Sequence, residues 1–229
     1  MKKQLLFIIA ALCCASFSYA QVTFGIKAGF SAAGMSAKYK LADSLPSIKE
    51  NTKTIPAFHA GIVADITLAE GFYLQPGLFY SAKGAKITET VQGPADQPLT
   101  ATATVHLNYL ELPINFLYKH PAGPGKIFAG FGPYLAYGIA GKIKTKVDGY
   151  DNTAETDVKF ENKQDVSGAV AYVKPFDAGA NFIAGYEMNM GLLFSINYSL
   201  GLTNTSPYNG ETEKNHYLGI SIGYLLKRK

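Results

Sequence analysis

The chain has 229 residues, 48% hydrophobic and 17% charged, with a net charge of +4 and two cysteines. That charge is too weak to imply nucleic-acid binding, and with Arg228 the one arginine, no arginine cluster exists to grip phosphate or carboxylate in a bidentate fork. Beyond the first twenty residues no apolar stretch approaches the ~20 residues of a membrane-spanning helix, so any span must be built from strands.

Met1-Lys2-Lys3, the apolar run Leu5 to Ala15 and the small residues Ser18 and Ala20 predict a cleaved secretory signal over residues 1–20. Cys13 and Cys14 lie inside it. Lipid attachment wants a small residue before the cysteine, whereas Leu12 precedes Cys13, so both are expected to leave with the signal. Residues 21–229 then form one domain without a cysteine.

From there the chain repeats with a period of two, the signature of strands with one apolar and one polar face. The apolar faces are Val22, Phe24, Ile26, Phe30; Phe58, Ala60, Ile62, Ala64, Ile66, Leu68; Phe72, Leu74, Leu78, Tyr80; and Leu110, Leu112, Ile114, Phe116, Tyr118. They continue as Ile127, Phe131, Leu135, Tyr137, Ile139; Phe176, Phe182, Tyr186, Met188; Leu192 to Leu202 at alternate positions; and Leu218, Ile220, Ile222, Tyr224, Leu226. Connections alternate as well. Ala69-Glu70-Gly71, His120 to Gly125 and Asn189-Met190 are short, while Ala37 to Ile55, Ile87 to Ala103, Thr145 to Val173 and Asn204 to Asn215 are long and polar.

The fold class expected is therefore all-β, a transmembrane antiparallel β-barrel of eight strands with short periplasmic turns, longer external loops and both termini periplasmic. Side-chain volume sets the faces. The apolar set is nearly all Phe, Tyr, Leu and Ile and would overfill a lumen of ~8 strands, but facing outward it gives outer-membrane lipid a continuous band. Aromatics near the strand ends then form two interfacial girdles. A secreted lipocalin-like barrel holding an apolar ligand is the soluble alternative. Pro76, Pro113 and Pro133 fall inside strands of a sheet with no free edge, so a bulge or ladder break is expected at each.

The inward faces carry Lys27, Asp65, Lys83, Glu111, Asp177 and Glu187. Charges inside a narrow barrel must be paired or hydrated, so both signs together predict an internal network of ion pairs and water. By register, Lys27 and Glu187 belong near the periplasmic end, Lys83 and Asp177 near the outer end, and Asp65 and Glu111 between.

A lipid-modifying barrel enzyme would need a Ser/His pair with an acidic orienter at the outer leaflet. His106 and His216 lie near loop-side strand ends, but neither has a serine two residues away, and no Gly-x-Ser-x-Gly elbow occurs. Asp148 to Asp157 is rich in oxygen ligands yet lacks the spacing of a calcium loop and reads as a solvated loop. No catalytic residue, cofactor or metal site is assigned.

Several phrases resemble the PorT-type outer-membrane β-barrel family: Phe24-Gly25-Ile26-Lys27-Ala28-Gly29-Phe30, Tyr73 to Gly84, Leu107 to Pro113, Gly132-Pro133-Tyr134-Leu135 and Tyr198 to Asn204. The resemblance implies a small eight-stranded barrel in the outer membrane of a Gram-negative cell, with a structural, surface-interaction or secretion-accessory role rather than an enzymatic one. It also implies that Tyr217, Gly219, Ile222 and Tyr224 form a final-strand signal for the barrel assembly machinery, although Leu225 to Lys229 continue past the aromatic at which such barrels usually stop.

Overall fold

The computed structural model describes residues 22–40, 48–49, 52–92, 98–150, 153–163 and 170–226. The expected signal, Cys13, Cys14 and Arg228 lie outside the described residues.

Alternation becomes strand as expected. In chain order the elements are β1 (Val22–Tyr39), β2 (Ile48–Lys49), β3 (Thr52–Lys53), β4 (Ile55–Ala69), β5 (Phe72–Gln92), β6 (Pro98–Ala122), β7 (Gly125–Val147), β8 (Thr153–Phe160), β9 (Val170–Val173), β10 (Phe176–Met188), β11 (Leu192–Gly201) and β12 (Glu211–Leu225). Eight of them, β10-β11-β12-β1-β4-β5-β6-β7, pair antiparallel in that order, and β10 pairs again with β7 to close the ring. Closure removes both sheet edges. Both described ends, Val22 and Leu226, and three tight turns lie at one end of the ring; those turns place Gly71, Gly123 and Gly191 at positive φ, where a Cβ is disfavoured.

The outer face of the ring is apolar. Phe24, Ile26, Phe30, Ile62, Phe131, Ile196, Ile220 and Leu218 are all exposed on it. Aromatics gather at its two rims, with Phe72 against Tyr118 (centroids 5.1 Å apart) at the tight-turn end and Phe58–Tyr80 (5.4 Å) and Tyr137–Phe176 (5.2 Å) at the other.

The three in-strand prolines interrupt the ladder without shifting it. The β4–β5 pairing resumes in register after skipping Pro76, the β5–β6 pairing after skipping Pro113, and the β6–β7 pairing after skipping Pro133. Each proline keeps a partner on its other side, as in Pro76↔Ile114, Pro113↔Tyr134 and Pro133↔Ala180. The missing N–H thus costs one short gap per strand pair. The register shifts fall elsewhere, between Thr67 and Ala69 and between Asn108 and Tyr109.

All four long connections contain strand where loop is expected, and two of them differ most. Ile87 to Ala103 is mostly strand, since β5 runs to Gln92 and β6 begins at Pro98, and Thr145 to Val173 contains the end of β7 together with β8 and β9. Polar composition suggested loop, but the polar residues include threonines that pair across strands, Thr88↔Thr102 and Thr90↔Thr100, and β-branched side chains favour the extended chain.

These extensions exchange their faces. Along β6 the outward residues run Tyr118, Phe116, Ile114, Leu112, Leu110 and then turn polar as Asn108, His106, Thr104, Thr102, while the inward ones run Lys119, Leu117, Asn115, Pro113, Glu111 and then lose their charges as Tyr109, Leu107, Val105. Met35, Ala85, Leu107, Tyr109, Val158 and Val173 form a buried apolar core inside this upper part. Phe160 closes it, edge-on to Tyr109 at 5.4 Å and so close over Gly138 that a Cβ there would meet its ring at 2.0 Å.

Gly84 sits at the exchange with φ of 147°, and a Cβ on it would lie 1.9 Å from the Val105 carbonyl oxygen. Gly84→Ala should lower stability by about 1–3 kcal/mol, whereas Gly149→Ala, also at positive φ but with nothing within 4 Å, should cost less. Urea midpoints of the refolded protein measure both; equal midpoints for the two variants would contradict the close approach at Gly84.

Candidate functional site

The lumen is where strand alternation sends every second side chain, and it holds three lysines and four carboxylates that are all buried: Lys27, Lys83, Lys119, Asp65, Glu111, Asp177 and Glu187. They do not form one network. They form two clusters, each a lysine between two carboxylates.

In the outer cluster Lys83 of β5 meets Glu111 of β6 at 2.8 Å and Asp177 of β10 at 3.0 Å. Tyr217 donates to Glu111 at 3.0 Å, while Tyr134 and Asn215 donate to Asp177 at 3.2 and 3.0 Å. The ammonium also faces the rings of Tyr134, Tyr109 and Tyr217, at 4.4, 5.1 and 5.8 Å from their centroids. Two anions, three aromatic faces and the donors behind them replace the water that a buried ammonium loses.

In the inner cluster, near the tight turns, Lys119 of β6 pairs with Asp65 of β4 and with Glu187 of β10, the latter at 2.7 Å. Gln75 donates to Asp65 at 2.6 Å, and the Tyr73 ring lies 4.5 Å from the ammonium.

Between the clusters lies a cavity of about 20 Å³ lined by Lys27, His59, Gln75, Asn115, Asn181 and Asn197, among others. That is room for about one water. Asn181 donates to Asn115 at 3.0 Å, His59 Nε2 lies 2.8 Å from Ser221 Oγ, and Ser221 donates to Asn197 at 3.2 Å. Lys27 makes no ion pair among the described residues.

All six charges read from the sequence thus face inward, but they sort differently from their expected heights. Asp65 belongs to the inner cluster, Glu111 to the outer one, and Lys27 to neither. Lys119 was missed because it borders the His120 to Gly125 turn, although counting by twos from Glu111 through Asn115 lands on it. The tyrosines around Lys83 carry no signal of their own in a chain with 15 tyrosines. The residues of the final-strand motif divide between faces: Tyr217 points into the lumen, Gly219 shares its side, and Ile222 and Tyr224 are exposed outside.

His106 is exposed on the outer face opposite Gly84 and Lys142, away from the lumen. His216 sits opposite Gly34 and Leu200 on β12. The His59–Ser221 pair is deep in the lumen, and its Nδ1 has no hydrogen-bond partner among the described residues, so it has no acidic orienter. Among the described residues no group of three or more His, Cys, Asp or Glu is placed to hold a metal.

In the outer cluster Glu111→Gln leaves Lys83 with one anion, and Lys83→Met leaves two carboxylates facing each other. Each should cost about 3–5 kcal/mol if the site is dry and less if water enters. In double-mutant cycles, Glu111→Gln with Lys83→Met should show about 1–3 kcal/mol of coupling and Glu111→Gln with Lys27→Met much less. Equal coupling to the two lysines would contradict the division into clusters.

Residues 16–207 match the model of the outer membrane protein beta-barrel domain family. No curated protein matches the chain. Among solved structures, Neisserial surface protein A is 12% identical, with 89% of this chain and 98% of that one covered and a TM-score of 0.41. OprG from Pseudomonas aeruginosa is 13% identical, covering 91% and 98% with a TM-score of 0.45, and Ail of Yersinia pestis is 10% identical, covering 89% and 99% with a TM-score of 0.33. The family model spans most of the sequence, including the strands that carry both lysine clusters, and the chain belongs to the outer membrane protein beta-barrel domain family.

Proposed function

We propose that this outer-membrane protein is a closed eight-stranded barrel without enzymatic activity, and that its role, in surface interaction or as an accessory to secretion, is carried by the part standing outside the membrane. The observation that carries this reading is the exchange of faces along β5, β6 and β7. An apolar outer face suits hydrocarbon, and a polar outer face over an apolar core suits water, so the boundary lies between Leu110 and Asn108. The tight turns and both termini are then periplasmic.

Two filled cross-sections support a non-channel role, since ~8 strands leave little interior to begin with. A lumen packed with ion pairs also gives an apolar ligand no room, which disfavours the lipocalin-like alternative. The lipid-modifying alternative would need a nucleophile at the outer leaflet, whereas the one His–Ser contact described above lies deep in the lumen. The PorT-type phrases in the sequence fit either role and do not select between them. Recognition of β12 by the assembly machinery through Tyr217, Gly219, Ile222 and Tyr224 belongs to the same reading.

Orientation is tested with single cysteines in a chain that has none after Cys14. Glu89→Cys should react with a membrane-impermeant maleimide on intact cells and Glu70→Cys only after the outer membrane is opened; the reverse pattern would invert the barrel. Ile196→Arg, at mid-strand on the apolar face, should destabilise the inserted barrel by ~2–4 kcal/mol, and Asn197→Ala on the inner face should be milder. In planar bilayers the purified protein should give no stable conductance on the nanosiemens scale, and such conductance would refute the plugged lumen.

A further inference from the structure

Above the apolar belt, β3, β5, β6, β7 and β8 place a row of side chains on the outer face. Lys53 sits directly opposite Lys86, Lys86 opposite Thr104, Thr104 opposite Lys144, and Lys144 opposite Glu155. The neighbouring rows add His106 beside Lys142 and Thr102 beside Lys146. Like charges placed directly across a strand pair repel. Among the described residues Lys53 and Lys86 have no carboxylate in ion-pair range, and the one salt-bridged acid of the row, Glu155, is shared by Lys142 at 2.7 Å and Lys144 at 3.1 Å. Hydrogen bonds from these two lysines hold the Glu155 carboxyl below the ordinary carboxylate range.

We propose that the Lys53–Lys86–Lys144 row binds the phosphate groups of outer-leaflet glycolipids. The proposal rests on the external placement of this end. Its direction argues for lipid over a soluble partner, because these side chains point sideways from the wall on the same face as Tyr80, Leu110 and Tyr137, not upward from the tips. Height agrees. The row stands six residues along β6 from Leu110, ~20 Å along the strand and ~15 Å along the membrane normal at the usual tilt. That exceeds the headgroup layer of a phospholipid bilayer, which is only ~5–8 Å deep, but long lysine stems reach back towards it and phosphorylated sugars rise to meet it. Neighbouring strands are ~4.8 Å apart, so Lys53 to Lys144 spans ~15 Å, wide enough for more than one phosphate. Thr102 and Thr104 supply hydroxyl donors between the ammonium groups.

The test uses the full refolded barrel in detergent, titrated with phosphorylated lipopolysaccharide, with the same glycolipid after enzymatic dephosphorylation, and with a soluble sulfated polysaccharide. The wild type should bind the phosphorylated form at least about tenfold more tightly than the dephosphorylated one, and the triple variant Lys53→Gln, Lys86→Gln, Lys144→Gln should lose that preference. Lys86→Gln alone should lose about fivefold, which keeps the test open if the triple variant misfolds; heat-modifiable gel mobility reports folding. Equal binding of the two glycolipid forms, or unchanged affinity in a folded variant, would overturn the proposal, as would preference for the polysaccharide over the glycolipid. Maleimide labelling at Glu89→Cys fails separately if it is the orientation that is wrong.

Discussion

A lysine ammonium stripped of water must find anions, and in this protein that requirement is met across the lumen. Lys83 of β5 holds Asp177 of β10, and Glu111 of β6 holds Tyr217 of β12, so strands that are not ladder neighbours are tied to one another through the interior. The ladder alone fixes each strand only to its two neighbours. The cross-lumen bonds fix the ring as a whole, because a strand that slipped by one residue would turn its carboxylate out to lipid. Lys119 repeats the device nearer the tight turns with Asp65 and Glu187. Together they set the height of β4, β5, β6 and β10 relative to one another.

The face exchange along β5 to β7 is the same physics read in two solvents. Along the apolar belt the wall is apolar and the lumen holds the buried charges; beyond it the wall is polar and the core is made of Met35, Leu107, Val158 and their neighbours. The extra residue in β7, where Asn108 faces Ala140 but Tyr109 faces Gly138, lies at this change. A bulge there lets the strand alter its twist where its surroundings alter.

Much of this was legible. Strict alternation around Leu192 to Leu202 needs no knowledge of partners, since a period of two implies a strand wherever it occurs, and the volume argument then chose the outward face. The six interior charges followed from the same counting. What was not legible is pairing: which lysine meets which carboxylate depends on shear and tilt, and no local pattern records either. Asp65 therefore lay lower and Lys27 apart from either cluster, and Lys119 hid beside a turn. The upper strands were hidden for a different reason. Residues such as Thr100, Thr102 and Thr104 are polar like a loop and β-branched like a strand, and only their cross-strand partners decide between the two.

The prolines of β5, β6 and β7 leave one trace on the wall. Pro76, Pro113 and Pro133 each drop their ladder towards the preceding strand, and Ile114 stands next to all three, opposite Pro76, after Pro113 and level with the gap at Pro133. The three gaps therefore fall side by side, a diagonal seam across one flank, while the pairings of β10, β11, β12 and β1 run unbroken through their shared spans. A cylinder stitched evenly on one flank and loosely on the other bends unevenly when the bilayer squeezes it. Its compliant side is fixed by three imino acids, and it lies on the same strands that run on past the apolar belt.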